Sequence, residues 1–239
     1  MCTLTILREN SRLLVTMNRD DIATREEAPP HVWPNTDPDF VAPRDELAGG
    51  TWIGVNRHGV IACLLNRYDA APKGQLSRGD IVIEAMGGAS IERSLSAVTS
   101  LDLGAYSPFS CLVIAEGGAA RLDWTGASIR RQDCSSGAKA VMATSSSWRF
   151  DEVKAQREAL FHEIMSGGGD AAGNLAAFHT RRVRADDAWA PMMLRSQSQT
   201  KSVTQIELSP RGAEMRYWTR DAAISRKLKT PDRCVRIGA

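Results

Sequence analysis

Apolar and polar residues alternate along the first third of the chain in short runs of strand length. Cys2 to Leu7, Arg12 to Asn18, Thr51 to Asn56 and Val60 to Asn66 each have the two-residue period of a β-strand. Arg57-His58-Gly59 joins the last two as a hairpin. Between the second and third runs lie about thirty residues rich in proline and charge, a span too long for a plain connection. It contains Ala28-Pro29-Pro30, Trp33-Pro34, Asp37-Pro38 and Pro43-Arg44-Asp45, and it predicts a binding or covering loop.

From Ser77 to Leu101 the period lengthens to that of a helix. Ile81, Ile83, Ala85 and Met86, then Ile91, Leu95 and Val98, form amphipathic faces interrupted by Gly87-Gly88, which predicts two helices. Ser110 to Ala115, Ala119 to Trp124 and Lys139 to Ser145 return to strand pattern. Phe150 to Met165 reads as a helix with Asp151 and Glu152 near its start, ended by Gly167-Gly168-Gly169, and Asp170 to His179 reads as another. Thr200 to Leu208 and Glu214 to Trp218 are strands turning at Pro210-Arg211-Gly212. A basic C-terminal tail from about residue 220, with Arg226, Lys227, Lys229, Arg233 and Arg236, reads as a solvated terminus. Strands, helices, strands, helices, strands, without strict alternation, predict an α+β fold: a four-layer αββα sandwich of two antiparallel sheets flanked by helices. No repeat or low-complexity linker divides residues 1–239, so a single domain is expected.

Composition narrows the partners. A net charge of +2, from 30 basic and 28 acidic residues, gives no electrostatic reason for nucleic acid or an anionic membrane as the main partner. Charged and polar residues from Arg8 to Arg12 leave no room for a signal h-region, and no apolar run approaches the roughly 20 residues needed to span a bilayer. A cytoplasmic chain with no membrane span is therefore expected. The five cysteines, Cys2, Cys63, Cys111, Cys134 and Cys234, form no Cys-x-x-Cys pair, and their odd count leaves at least one thiol free. Cys63 and Cys111 stand in apolar runs and read as core residues. His31, His58, His162 and His179 lack metal-ligand spacing, and no zincin, P-loop or Gly-x-Ser-x-Gly pattern occurs. Neither a metal nor another cofactor is expected.

The candidate chemistry begins at Cys2. Initiator methionine is removed when its neighbour is small, and that would leave one residue carrying both a thiol and a free α-amine. Their reference pKa values, about 8.5 and about 7.7 to 8.0, are close enough that moving the proton between them costs about 1 kcal/mol. The polar cluster Asn18-Arg19-Asp20-Asp21 closes the second strand, with Asn18 and Asp20 on one face and Arg19 on the other. It reads either as a strand end entering a turn or as a carboxylate that holds the Cys2 amine beside a guanidinium that favours thiolate. In Gly49-Gly50-Thr51-Trp52-Ile53-Gly54-Val55-Asn56 the glycine pair permits a sharp turn or a close backbone approach, and Asn66, ending a buried strand, can offer its amide to an oxyanion. An ordinary hairpin with a glycine bulge is the alternative.

Met1-Cys2, Asn18-Arg19-Asp20-Asp21, Arg25, Pro30, Trp33, Arg44-Asp45, Gly49-Gly50-Thr51-Trp52, Gly54, Asn66 and Ser77-Arg78-Gly79 together resemble the NRDE-motif family, which includes transport and Golgi organisation proteins. The match is dense over about residues 1 to 85 and thin beyond, where Tyr106 to Ile114 and Thr144-Ser145-Ser146-Ser147-Trp148 remain similar. The resemblance implies a fold like that of the N-terminal-nucleophile (Ntn) hydrolases. These include bile-salt hydrolases, penicillin V acylases and acyl-CoA-dependent acyltransferases, whose mature chains begin with cysteine. It implies Cys2 as nucleophile, Asp20 as the carboxylate holding its amine and Asn66 as an oxyanion donor; Arg19, one step after Asn18 and on the opposite strand face, is the chain's own candidate for the catalytic cation. Asn18, Asp21, Trp33, Arg44, Trp52, Thr144 and Ser145 enter as substrate-binding or supporting residues.

Two departures from the hydrolases stand out. They carry arginine just before their Asn-x-Asp, where this chain has Met17. Where they have a second oxyanion asparagine, this chain reads Val141-Met142-Ala143-Thr144-Ser145-Ser146, so a hydroxyl or a backbone group must substitute. Loss of one such donor typically costs about 2.7 to 4 kcal/mol. The resulting expectation is a Cys Ntn amidohydrolase or acyltransferase acting on a small acyl amide or thioester, with Trp33 and Phe40 of the long loop walling an apolar groove. The alternative is a non-catalytic haem or acyl-lipid carrier on the same fold, with haem or acyl-CoA as ligand. A purely structural interaction protein leaves Cys2 and Asn18 to Asp21 without a role.

Overall fold

In the computed structural model, which describes residues 2–9, 11–34, 36–68, 74–134, 137–182 and 188–238, the opening alternation becomes β1 (Cys2–Glu9) and β2 (Arg12–Ile22). The two are antiparallel, in register from Cys2↔Arg19 to Glu9↔Arg12. β2 runs through Asn18 to Asp21, so the polar cluster belongs to the strand rather than to a turn after it.

β3 (Glu27–Val32) and β4 (Phe40–Asp45) lie inside the stretch expected to be a binding loop, and this is the main correction to the sequence reading. Proline hides them, because it removes a ladder donor and is tolerated only at sheet edges and irregularities. β3 is an edge strand whose pairing slips between Ala28 and His31, across Pro29-Pro30. Pro43 lies beyond Phe40 and Val41, the two β4 residues that pair with β5 (Ile53–Asn56). β6 (Ile61–Asn66), α1 (Gly79–Met86), α2 (Ile91–Thr99), β7 (Phe109–Ala115) and β8 (Gly118–Trp124) follow the expected pattern closely. β9 (Ile129–Asp133), an edge strand exposed at every position, has no buried face to give it a period.

β10 (Ala140–Ser145), α3 (Phe150–Ser166), α4 (Ala171–His179), β11 (Ser198–Ser209) and β12 (Gly212–Thr219) are as predicted to within a few residues. The basic tail is not simply solvated, since α5 (Arg220–Arg226) and β13 (Arg233–Ile237) lie within it, and β13 extends a sheet. The fold is α+β, with two antiparallel sheets and helices. The six-stranded sheet has the order β10-β1-β2-β11-β12-β13 and the seven-stranded sheet the order β3-β4-β5-β6-β7-β8-β9. No helix of the described residues is long and apolar enough to cross a membrane.

The chain divides into two compact units. One comprises Met1–Arg25, Lys139–Glu207 and Arg216–Cys234, and the other comprises Glu26–Ala138, Leu208–Met215 and Val235–Ala239. In the first unit, α3 and α4 cover the face of β1 and β2 that carries Leu7 and Leu14, through Phe161, Leu175 and Phe178. In the second, α1 and α2 bury Ile81, Val82, Met86, Leu95 and Val98 against Phe40, Leu64, Phe109, Cys111 and Leu122 of the sheet. Burial pushes the Cys111 thiol up to about 12, so this cysteine is a core residue and not a nucleophile.

The Gly49-Gly50 and Ser77-Arg78-Gly79 signatures meet in this second unit. A Cβ on Gly79 would lie 2.9 Å from Gly50 Cα and from Thr51 N, inside contact distance. Gly79→Ala should therefore cost about 1 to 3 kcal/mol through forced backbone separation. A urea midpoint unchanged by the substitution would contradict the close crossing.

Candidate active site

Cys2 opens β1 between β10 and β2, with Ser145 and Arg19 as its cross-strand partners. Paired residues share a sheet face, so Cys2, Arg19 and Ser145 stand together on the face opposite α3 and α4. Both main-chain polar atoms of Cys2 are engaged. Its N–H donates to Ser145 Oγ at 3.0 Å, and its carbonyl accepts from Thr144 Oγ1 at 3.1 Å. Burial pushes the Cys2 thiol up, and the Arg19 guanidinium opposes this only in part. The thiol of the resting site is therefore held protonated more firmly than a free cysteine, contrary to the depressed value that a neighbouring guanidinium alone would give.

Asp20 lies on the helix-covered face and is buried. Its Oδ1 accepts from Thr200 Oγ1 at 2.6 Å, and its Oδ2 lies 3.8 Å from Arg157 Nη2. Burial raises its pKa, and Arg157 is the largest of the influences that lower it. Asp21, at the rim, pairs instead with Arg19 at 3.0 Å and with Arg25 at 3.5 Å.

Arg157 was missed by the motif reading. It occupies the buried stripe of α3 with Val153 and Phe161, one helical turn from each. A charged residue in the middle of an apolar i, i+4, i+8 stripe is the signal that would have found it.

Asn18 is close to this cluster but does structural work. Its Nδ2 donates to the carbonyls of His179, at 2.9 Å, and Pro191, at 2.8 Å, and its Oδ1 lies 2.5 Å from His179 Nδ1. An amide oxygen only accepts, so His179 carries its proton on Nδ1 and its Nε2 accepts from Thr5 Oγ1, 2.7 Å away. Asn18→Ala would leave the His179 carbonyl and the His179 ring N–H buried without these partners, while the Pro191 carbonyl keeps Thr200 Oγ1 at 3.2 Å. The expected loss is about 2 kcal/mol, at about 1 kcal/mol or more for each stranded group. A urea-derived loss below about 1 kcal/mol would contradict this tether.

In the second unit, Asn66 is half-buried at the end of β6 and pairs with Phe109. Alternation therefore puts it on the α1/α2 face, with Leu65 and Ser110 on the other. That other face carries Asp123, whose Oδ1 accepts from Ser110 Oγ at 2.5 Å and Arg121 Nε at 2.8 Å, with Arg67 Nη1 at 3.5 Å.

Phe40 is 1% exposed in the core, and Trp33 packs against the same cluster, donating Nε1–H to the Ala42 carbonyl at 3.1 Å. Both therefore belong to the sheet rather than to a free groove wall. Trp33 stacks between His31 and Phe40 at 5.8 and 5.2 Å, with the Arg44 guanidinium 5.9 Å from its centroid. Trp52 is buried just after the glycine crossing. The structure thus gathers Cys2, Arg19, Asp20, Thr144 and Ser145 in one unit, with Asn18 and Asp21 at the margins of that group. Asn66, Trp33, Arg44 and Trp52 are local features of the other unit. Among the described residues, no group of three or more His, Cys, Asp or Glu is placed to hold a metal.

This fold, two antiparallel sheets with helices, is like that of Ntn hydrolases of known structure. The fold is similar to that of penicillin V acylase from Agrobacterium tumefaciens, at a TM-score of 0.53 and 13% identity, over 97% of this chain and 84% of that one. A mutant conjugated bile acid hydrolase from Clostridium perfringens aligns at 0.54 and 9% identity, over 100% and 97%. The Caenorhabditis elegans ortholog of N-acylethanolamine-hydrolyzing acid amidase aligns at 0.50 and 13%, over 86% and 92%. At these identities the likeness is one of fold. No curated protein matches the chain. The chain belongs to the Transport and Golgi organisation 2 family, whose model matches residues 1–223.

Proposed function

We propose that this protein is a cysteine Ntn amidohydrolase or acyltransferase acting on a small acyl amide or thioester. The observation that carries the reading is the engagement of Cys2 at its nitrogen by Ser145 Oγ and at its carbonyl oxygen by Thr144 Oγ1. A residue that becomes the chain terminus loses the preceding peptide as an anchor, and these contacts supply what orients it. The acylase, bile acid hydrolase and acid amidase names of proteins with this fold support the reaction class.

Once Met1 is removed, the Cys2 nitrogen beside Ser145 Oγ becomes an α-amine, with Asp20 as the nearby carboxylate. The amine takes the thiol proton as Sγ attacks the acyl carbonyl carbon. An S–C bond forms, and the C–N or C–S bond of the substrate breaks as the proton passes to the leaving amine or thiol. Water or an acceptor nucleophile then attacks the thioester, giving up its proton through the same amine and releasing the acyl group. Backbone N–H groups are the proposed oxyanion donors, with the Ser145 hydroxyl, whose proton is not committed to the Cys2 nitrogen it accepts from, standing where a second asparagine is absent.

The test is the mass of the N-terminal peptide together with release of the amine from an N-acyl amide. A chain beginning at Cys2 that consumes the amide is expected. Retained Met1, with haem or acyl-CoA bound and released unchanged, would give the carrier reading instead.

A further inference from the structure

The geometry points to Arg157 as the positioning residue that fixes the terminal cysteine, acting through Thr144 and across to Asp20. This inference rests on Cys2 being the nucleophile. The side chain of Arg157 is fully buried, and its donors are directed to defined acceptors. Nε donates to the Trp189 carbonyl at 3.0 Å and Nη2 to the Ala190 carbonyl at 3.0 Å. Nη1 donates to Thr3 Oγ1 at 2.6 Å and to Thr144 Oγ1 at 2.8 Å. Nη2 also faces Asp20 Oδ2 at 3.8 Å.

Donor counting gives the hydroxyls a direction. The Thr144 proton is committed to the Cys2 carbonyl at 3.1 Å, so Thr144 Oγ1 can only accept from its other neighbours. Thr3 Oγ1, 3.2 Å away, is then the donor to Thr144, and it in turn accepts from Arg157. Guanidinium, Thr3 and Thr144 therefore form a one-way chain of hydrogen bonds that ends on the main-chain carbonyl of Cys2. A cation at its head polarises every hydroxyl along it.

The same guanidinium is the cation beside the buried Asp20, the proposed partner of the Cys2 amine. One side chain on α3 thus holds the carbonyl side of the nucleophile residue and faces the carboxylate on its amine side. Its anchorage to the Trp189 and Ala190 carbonyls keeps α3 from sliding along the sheet and carrying the fork out of register. A buried cation is costly unless its hydrogen bonds are satisfied. Here they are satisfied by the Trp189 and Ala190 carbonyls and by the hydroxyls of Thr3 and Thr144, the last of which holds Cys2.

The experiment follows the p-nitrophenolate burst from a p-nitrophenyl acyl ester in the methionine-processed protein, with a urea midpoint for every variant. Arg157→Met should slow the acylation step by about 10²-fold, the scale of a misplacement of about 1 Å, with the half-saturating ester concentration little changed. Thr144→Val, which keeps the shape and removes the hydroxyl, should slow it less, and the double variant should be no slower than Arg157→Met alone. Folded Arg157→Met with unchanged acylation, or single effects that multiply in the double variant, would overturn the inference while leaving Cys2 as nucleophile. If Arg157→Met does not fold, Arg157→Lys and Thr144→Val carry the test, and full-speed acylation in both overturns it. Absence of any burst from the wild-type chain would remove the reaction itself, and the positioning role with it.

Discussion

Cys2→Ala is expected to abolish turnover of acyl amides and thioesters, by at least about 10⁴-fold, and to leave the protein folded. The two halves of this result have separate physical origins. Turnover is lost because alanine has no nucleophile and no proton for the amine to take. The fold is kept because the anchors of Cys2 are main-chain ones: the N–H to Ser145 Oγ and the carbonyl to Thr144 Oγ1 survive the change. The vacated volume is that of one sulfur, worth about 1 kcal/mol on the scale of a buried methylene. Parallel progress curves and urea titrations of the two proteins check both halves. Residual turnover near that of the wild type would place the nucleophile elsewhere, whereas a collapsed fold would make Cys2 a core residue.

Acidification should destabilise the protein through His179, with an expected loss of about 2 to 3 kcal/mol between pH 7 and pH 4.5. Burial lowers the pKa of this imidazole from 6.5 to about 3, and its ring is locked neutral between Asn18 and Thr5. Between those two values the unfolded chain binds a proton that the folded chain refuses. Stability is therefore complete above the unfolded value and is lost progressively as the pH falls towards the folded one, with a ceiling of about 4 to 5 kcal/mol. His179→Gln retains an amide that can donate to Asn18 and accept from Thr5, yet it cannot titrate. Urea midpoints measured from pH 7 down to 4.5 should fall more steeply in the wild type than in this variant, and carboxylates common to both cancel in the comparison. Equal slopes would mean that His179 is not the proton-linked group.

Much of this was legible in the sequence where a residue's partners are periodic or local. The helices on either side of Gly87-Gly88 and the strands β1 and β2 follow from apolar spacing alone. Legibility failed where polarity and burial part company. β3 and β4 were read as a loop because proline and charge dominate them, although an edge position and a slipped register make room for both. β9 has no buried face, so its sequence carries no period. Asn18 and Asp20 look like strand-end polar residues, yet both are buried in a strand that continues to Ile22, with partners contributed by segments more than one hundred residues away in sequence.

The site shows the same division. Cys2 and Asp20 could be named from local pattern and resemblance, but Thr200 and Arg157 could not, since nothing local announces them as neighbours of Asp20. Arg157 left one trace, a cation in the apolar stripe of α3. Much of the remaining signature is architectural. Gly50 and Gly79 allow a backbone crossing. Asp45 Oδ1 accepts from the N–H groups of Leu47 and Ala48 in a turn. Arg78 Nη1 reaches the Pro108 carbonyl at 3.0 Å.

The central claim is that Cys2, as the first residue of the mature chain, takes the acyl group onto its sulfur. The most direct measurement is the mass of the N-terminal peptide after brief exposure to a p-nitrophenyl acyl ester, with and without neutral hydroxylamine. The account predicts a peptide beginning at Cys2 that carries one acyl group, lost on hydroxylamine treatment as a thioester requires. A peptide that keeps Met1, or one that begins at Cys2 and remains unacylated while p-nitrophenolate is released, would contradict it.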